Sequence, residues 1–213
     1  MTRRLLDAAI ASAVVLCVGF VLWFLIGPPP VKLMQPTAHL WELLPGILPT
    51  LALLAGSIVI ALLAGSLLHL PASRNRGASV AVAWIAVALR SLPFFWVAFV
   101  LAIVFAPRID LEPAFFQWLV PSCVLSLVQI PIVVRALDAS KRVTSLVAAF
   151  AARLPEIVAA EFLTEIAFEW PGLGKAFYYA ATSAQRTLAV GILVVVALFT
   201  IAVRLTATMV SDA

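Results

Sequence analysis

Four carboxylates recur at near-helical spacing in one otherwise apolar segment, and they are the side chains best suited to chemistry. They are separated by five, four and four positions, which places them roughly on one helical face: Glu156, Glu161, Glu165 and Glu169. A charge deep in a membrane is costly, so these groups must face a partner helix or a wet cavity. The pattern indicates either a polar stripe along a path for a cationic or peptide substrate, or a structural arrangement. In the second case the outer two lie at the interfaces, and Glu161 lies deep and pairs with Arg90.

The same segment ends in a run of turn-forming and aromatic residues, EIAFEWPGLGKAFYYA at 165–180. Pro171, Gly172 and Gly174 predict a tight turn with close backbone approach. The residues after the turn predict a short amphipathic helix that lies back over the bundle. The sequence favours a structured cap at the membrane surface. The alternative is a plain stop signal, in which Trp170 and the tyrosines only anchor the rim.

The composition points to a membrane protein. Hydrophobic residues make up 64% of the 213 and charged residues 11%, and the mean hydropathy is +1.15, which excludes an ordinary soluble domain. The net charge is +4, but the basic residues are scattered in ones and twos, so no nucleic-acid surface is expected. Two distant cysteines give no metal-binding spacing, and no metal site is predicted.

Apolar runs broken by turn formers predict one integral-membrane domain over residues 1–213. Six spans are expected, at about 8–26, 46–70, 78–106, 118–136, 144–168 and 187–208. The first is interpreted as a retained helix, because its apolar stretch is longer than a signal-peptide core. Small residues in the second span, among them Gly56 and Gly65, predict close helix packing. Lysine and arginine in the short loops favour an N-in, C-in orientation, which puts the 165–180 stretch outside. The predicted fold is an all-α membrane bundle.

Three stretches resemble, in the right order, the permease subunits of binding-protein-dependent ABC importers of the dipeptide, oligopeptide and nickel class. Two of them, 90-RSLPFFWVAF-99 and 121-PSCVLSLVQIPIVVR-135, are similar to parts of that family's third and fourth helices. The strongest is similar to the family's E-x-x-F-x-W-P-G-L-G signature after the fifth helix, and its matching residues are Glu165, Phe168, Trp170, Pro171, Gly172 and Gly174. Together the stretches extend the resemblance over roughly residues 46–210.

The resemblance implies ATP-driven import across a bacterial inner membrane, with an ABC-permease-like bundle and no covalent chemistry in this chain. Such a subunit forms a path with a second permease and receives a peptide or related small solute from an extracytoplasmic binding protein. Two cytoplasmic subunits that bind ATP and Mg drive it. The chain contains no G-x-x-x-x-G-K-[ST] phosphate loop, so ATP chemistry would fall to those partners, and this chain is expected to hold no cofactor.

The inner side departs from the family pattern. The family's cytoplasmic E-A-A-x-x-x-G coupling element is shortened or degenerate here, since 135-RALDASKRVTSLVAAF-150 runs almost directly into the next span. The candidate coupling residues that remain are Arg135, Asp138, Lys141 and Arg142. Three alternatives therefore stay open: a degenerate partner with weak ATPase coupling, a purely structural subunit, and an ion-coupled secondary transporter that uses Glu161 and Arg90 as a relay.

Overall fold

The chain is helical throughout the part described by the computed structural model, which covers residues 36–109, 114–139, 143–183 and 185–211. The predicted first span, 8–26, lies outside these residues. Within them there are seven helices: α1 (Pro36–Ala72), α2 (Arg76–Ser91), α3 (Phe94–Ile109), α4 (Ala114–Ala139), α5 (Val143–Ala167), α6 (Leu173–Thr182) and α7 (Arg186–Ser211). The all-helical prediction is confirmed for this part of the chain.

Several of these helices suit a membrane. In the described ranges three are long and apolar enough to cross one, namely α1 over Pro45–Ala72, α4 over Gln117–Asp138 and α7 over Arg186–Met209. The bent pair α2 and α3 adds a fourth if it counts as a single span. The predicted span 144–168 corresponds to α5, which carries one arginine and three glutamates and is not among the three. A multi-pass membrane protein is therefore indicated, with three or four candidate spans in the described ranges, which contain five of the six predicted spans.

The predicted third span, 78–106, is two helices instead of one. α2 ends at Ser91 and α3 begins at Phe94, and the two axes meet at 87°. Leu92 between them is extended, with φ −72° and ψ 128°, the conformation that a following proline imposes. Pro93 also has no backbone N–H to continue the helix of α2. The predicted span 78–106 is therefore not one continuous helix, and it counts as a span only if the bent pair crosses the membrane together.

The core lies between α1, α4 and α5. Leu53 of α1, Leu125 of α4 and Ala160 of α5 form one buried cluster. A Cβ at Gly56 would overlap the Trp118 ring, and one at Gly65 would lie 2.7 Å from Val133 Cγ1, so both glycines let α1 approach α4 closely. The predicted tight packing of this helix is confirmed.

Buried polar side chains run through the same core. Ser57 of α1 accepts a 2.8 Å hydrogen bond from the Gln129 amide of α4. Ser122 and Ser126 on α4 donate instead to carbonyls within their own helix. Most of these groups are thus satisfied locally or by one neighbouring helix, as buried polar atoms must be.

Candidate functional site

The α5–α6 turn is the candidate site, and its backbone follows a recognised helix-ending pattern. The Trp170 N–H donates to the Glu165 carbonyl at 2.8 Å, and the Glu169 N–H donates to the Ile166 carbonyl at 3.4 Å. Glu169 between these bonds has φ +53°, in the left-handed region that glycine usually occupies at this point. The two bonds satisfy carbonyls at the end of α5 and turn the chain sharply toward α6.

The first turn of α6 is capped by side chains from two other helices. Its own N-cap residue, Gly172, has no side chain to supply a hydrogen bond. The N–H of Gly174 donates to Glu165 Oε2. The N–H of Leu173 donates at 2.8 Å to the Thr50 hydroxyl of α1. The backbone N–H groups that have no partner within the helix at its start are thus satisfied by tertiary contacts rather than by a local cap.

Glu165 and Thr50 are joined directly. The Thr50 Oγ1 hydroxyl donates to Glu165 Oε1 at 2.6 Å, across 115 residues of sequence. Glu165 is fully buried, and donors from α1 and α6 converge on its two oxygens. An acceptor-only group at the positive end of a helix suits this position. Glu165 therefore fastens α5, α6 and α1 to one another.

The two glycines of the turn make room for this carboxylate. A Cβ at Gly172 would overlap the Glu165 carboxylate. One at Gly174 would lie 2.5 Å from the Phe162 Cα and 2.8 Å from Glu165 Oε2, closer than real Cβ atoms come. The close backbone approach expected of these glycines is confirmed.

Trp170 is fixed within the bundle, whereas the tyrosines lie outside it. The Trp170 indole N–H donates to the Pro49 carbonyl of α1 at 3.0 Å, and the ring packs against the core of α1, α4 and α5. Tyr178 and Tyr179 of α6 are about half exposed. The residues after the turn form the predicted short helix, which buries one side and leaves these rings on the other. A plain stop signal would not require the Trp170 contact to α1.

The remaining signature residues contribute less. Phe168 is half-buried, and Pro171 is exposed. Lys175 Nζ donates to the Glu169 carbonyl at 2.8 Å and lies 3.7 Å from the Glu169 carboxylate, at the outer edge of the turn.

The predicted row of carboxylates divides into exposed ends and a buried middle. The side chain of Glu156 is 60% exposed and forms an ion pair with Arg153, and that of Glu169 is 81% exposed. Glu161 and Glu165 are both buried. Glu161 Oε1 has no hydrogen-bond partner among the described residues. The buried part of the row thus holds two carboxylates, whereas the hypothesis of a structural arrangement predicted only Glu161 to lie deep.

The predicted pair of Arg90 and Glu161 is not formed. Among the described residues no ion pair joins them, and Arg90 is exposed at the end of α2 whereas Glu161 is 1% exposed. The pairing was wrong because Arg90 was assigned to the middle of a continuous span, whereas the break at 92–93 ends that helix and leaves Arg90 at its exposed end.

The candidate coupling residues are described only in part. Arg135 is exposed near the end of α4, and the Asp138 carboxylate, 61% exposed, lies 3.0 Å from His69 Nδ1 of α1. Lys141 and Arg142 lie outside the described residues. His69 Nδ1 nevertheless makes no hydrogen bond among the described residues, so the two side chains are close without being bonded.

Sequence reasoning missed Thr50, the partner that completes the cap. Its hydroxyl both receives the Leu173 N–H and donates to Glu165. A threonine in the long apolar helix α1 was the available signal, but nothing in the sequence relates it to a residue so far away.

The comparisons with known proteins give no further guide. No protein-family model matches this chain, and no curated protein is significantly similar to it. In the described residues there is no group of three or more histidine, cysteine, aspartate or glutamate side chains placed to hold a metal ion.

Proposed function

We propose that this chain is an inner-membrane permease subunit of an ATP-driven ABC importer. It forms a translocation path with a second permease for peptides or a related small solute. An extracytoplasmic binding protein delivers the substrate, and ATP and Mg bind to two partner subunits. The observation that carries the proposal is the tertiary cap in which Glu165 of α5 and Thr50 of α1 hold the start of α6.

This cap supports the proposal because the residues that resemble the family signature are those that build it. Glu165 supplies the carboxylate, Gly172 and Gly174 supply the space, and Trp170 supplies a bond to α1. A helix end that only marked the membrane surface would not need these four residue types in this order. The signature is thus a working structural unit in this chain.

The cap also suggests how the subunit moves. Leu173 of α6 packs with Ile192 of α7 and with Ile47 of α1, while Glu165 holds α6 to α5. These four helices are therefore linked at one end of the bundle. When partner subunits displace α5, the linked end moves as one body and opens or closes its side of the path.

The ion-coupled secondary transporter remains a second candidate, and one observation favours it. Glu161 is buried and has an oxygen without a hydrogen-bond partner among the described residues. Such a group inside a membrane is typical of ion and proton pathways. Arg90, which was predicted to act with Glu161 as a relay, does not pair with it, so this candidate function depends on Glu161 alone.

Copurification from the native membrane distinguishes these functions. The tagged full-length chain is isolated in mild detergent, and its partners are identified by mass spectrometry. Recovery of an ATP-binding subunit and a second permease supports the proposal, and uptake into proteoliposomes should then require internal-side ATP. A stable homo-oligomer whose uptake follows an ion gradient without ATP would overturn it. Recovery of the partners with uptake that is unchanged when this chain is omitted would identify a structural subunit.

A further inference from the structure

A groove with apolar walls lies between α1, α5 and α7. Its volume is about 380 Å³, and every side chain that lines it is a hydrocarbon. α1 contributes Leu54, Ile58 and Leu62, which recur every fourth residue and so form one stripe of that helix. Phe199 and Val203 belong to the corresponding stripe of α7. A groove between two such stripes has the shape that receives the side chains of a further helix.

The groove lies in the half of the bundle opposite α6. Its α5 residues end at Ile157, whereas α6 begins after the end of α5 at Ala167. Its α7 residues come from the second half of that helix, and α7 starts directly after α6. In the predicted N-in orientation this half is the cytoplasmic one. The lining offers no hydrogen-bonding group from a side chain, so the occupant must be apolar.

The chain has an apolar segment of suitable length just before α1. Residues 8–26, which lie outside the described residues, form a run of 19 without a charge, about 28 Å long as a helix. Nine residues, 27–35, join this segment to Pro36 at the start of α1. They reach at most about 30 Å when fully extended. The end of the segment is therefore close to α1, which forms one wall of the groove.

The other sides of α1 suit this segment less well. One is filled by α4, since Gly56 and Gly65 bring the two helices into close contact. Another carries Val59 and Leu63, which are 55% and 63% exposed, so a segment there would contact a single helix. In the groove it would contact three. Van der Waals packing drives helix association in a bilayer, so the groove is the preferred side.

The sizes of the side chains match as well. The first part of the segment, 8–13, reads AAIASA, whereas the groove carries Phe150, Leu154 and Phe199. Both belong to the cytoplasmic half in the predicted orientation. Small side chains on one helix let its backbone approach large ones on its neighbours.

We infer that the segment 8–26 occupies the groove between α1, α5 and α7 and runs antiparallel to α1. The groove is then an internal contact of this chain and not a site for lipid or for a partner protein. The inference does not depend on the proposed transport function.

Disulfide crosslinking in the full-length chain tests this contact. Both native cysteines are first replaced by serine, and a single cysteine is then placed at each of positions 15–18 in turn. Four successive positions cover nearly all sides of a helix, so one of them faces the groove whatever the rotation of the segment. These positions are at the middle of 8–26 and therefore near the middle of the membrane.

Each of these chains also receives one cysteine in the bundle. Ile58→Cys and Phe199→Cys are on two walls of the groove, near the midpoints of the candidate spans of α1 and α7. Val59→Cys is the matched control, because it has the same depth on α1 but is exposed outside the groove. Membranes are oxidised mildly, and joined peptides are measured by mass spectrometry. We expect a disulfide within one chain for both groove variants, and its loss to background for Val59→Cys, since the two Cα atoms must come within about 7 Å.

The two walls make the result independent of a single substitution. The inference is overturned if the folded groove variants crosslink no better than Val59→Cys at every position of 15–18, because lipid or another protein then fills the groove. Disulfides that join two copies of the chain, recognised by the doubled mass, would overturn it as well. In that case the segment would lie in the groove of a second copy.

Discussion

Two buried carboxylates, one helical turn apart on α5, have opposite surroundings. Glu165 receives hydrogen bonds from Thr50 and from the first turn of α6, whereas Glu161 Oε1 has no partner among the described residues. Both are at most 1% exposed. The same side chain on one face of α5 is thus part of a hydrogen-bond network at Glu165, whereas at Glu161 one of its oxygens has no hydrogen-bond partner in the described part of the chain.

The difference shows that burial by itself does not identify a functional carboxylate. A buried polar group that makes all its hydrogen bonds stabilises a fold. A buried polar group that lacks them destabilises it, so a chain that keeps such a group does so for another reason. The contrast assigns the cap to Glu165 and leaves Glu161 as the residue to examine for transport. Four substitutions test that assignment.

The largest effect is expected from Glu165→Ala. This change leaves the buried N–H of Gly174 and the Thr50 hydroxyl without their acceptor, and each such loss costs about 1–3 kcal/mol. We expect the variant to lose about 2–6 kcal/mol of stability, measured by unfolding in detergent. Glu165→Gln should lose less, because its carbonyl still accepts from the backbone.

The matched control for this change is Glu169→Ala. Glu169 belongs to the same predicted row but is 81% exposed, so its removal should alter stability by no more than about 0.5 kcal/mol. Equal losses in the Glu165 and Glu169 variants would contradict the cap.

Gly174→Ala should have the next largest effect. The added Cβ would meet the backbone of Phe162, which cannot move aside as a flexible side chain could. The expected loss is about 1–3 kcal/mol, the usual cost of overpacking. Gly191→Ala on α7 is the control: nothing lies within 4 Å of its Cβ, and alanine should be neutral or stabilising by up to about 1 kcal/mol. A Gly174 variant as stable as the Gly191 variant would refute the close approach.

Thr50→Val should have a smaller effect than either. Valine keeps the shape of threonine but removes both its bond to Glu165 and its bond from the Leu173 N–H. We expect a loss of about 1–2 kcal/mol. A double-mutant cycle with Glu165→Ala should show that the two losses are not additive, because the residues share one network. Additive losses would show that they act separately.

Glu161→Leu should have the smallest effect on stability, and it tests the difference between Glu161 and Glu165 most directly. Replacing an uncompensated buried carboxylate with an apolar side chain of similar size should be neutral or stabilising, within about 1 kcal/mol. If the proposed transport is reconstituted, uptake by the same preparation tests its role: unchanged uptake makes Glu161 dispensable, and abolished uptake in a stable variant places it on the proposed path. A loss of stability as large as that of Glu165→Ala would contradict the claim that Glu161, unlike Glu165, does not stabilise the fold.

Sequence reasoning recovered the local features of the site. Proline and glycine at 171–174 act through backbone geometry, so the turn and the helix after it could be predicted from neighbouring residues alone. The end of α5 at Ala167 also lies within one residue of the prediction.

Features that depend on distant residues could not be predicted in the same way. The bond between Thr50 and Glu165 joins positions 115 residues apart, and no local pattern encodes it. Arg90 was assigned to the middle of a span because hydropathy treats 78–106 as one run, whereas the break at Pro93 redirects the chain. The acidic residues of α5 show the same limit of local pattern, since the contacts that accommodate Glu165 come from α1 and α6.

The distance between Thr50 and Glu165 also has a consequence for the making of the protein. At about 5–20 residues per second, Glu165 leaves the ribosome roughly 6 to 23 s after Thr50. For the whole of that interval Thr50 is without its partner, because Glu165 and the α6 helix after it have not yet been made. The bond therefore closes late, after the helices between α1 and α5 have already been made.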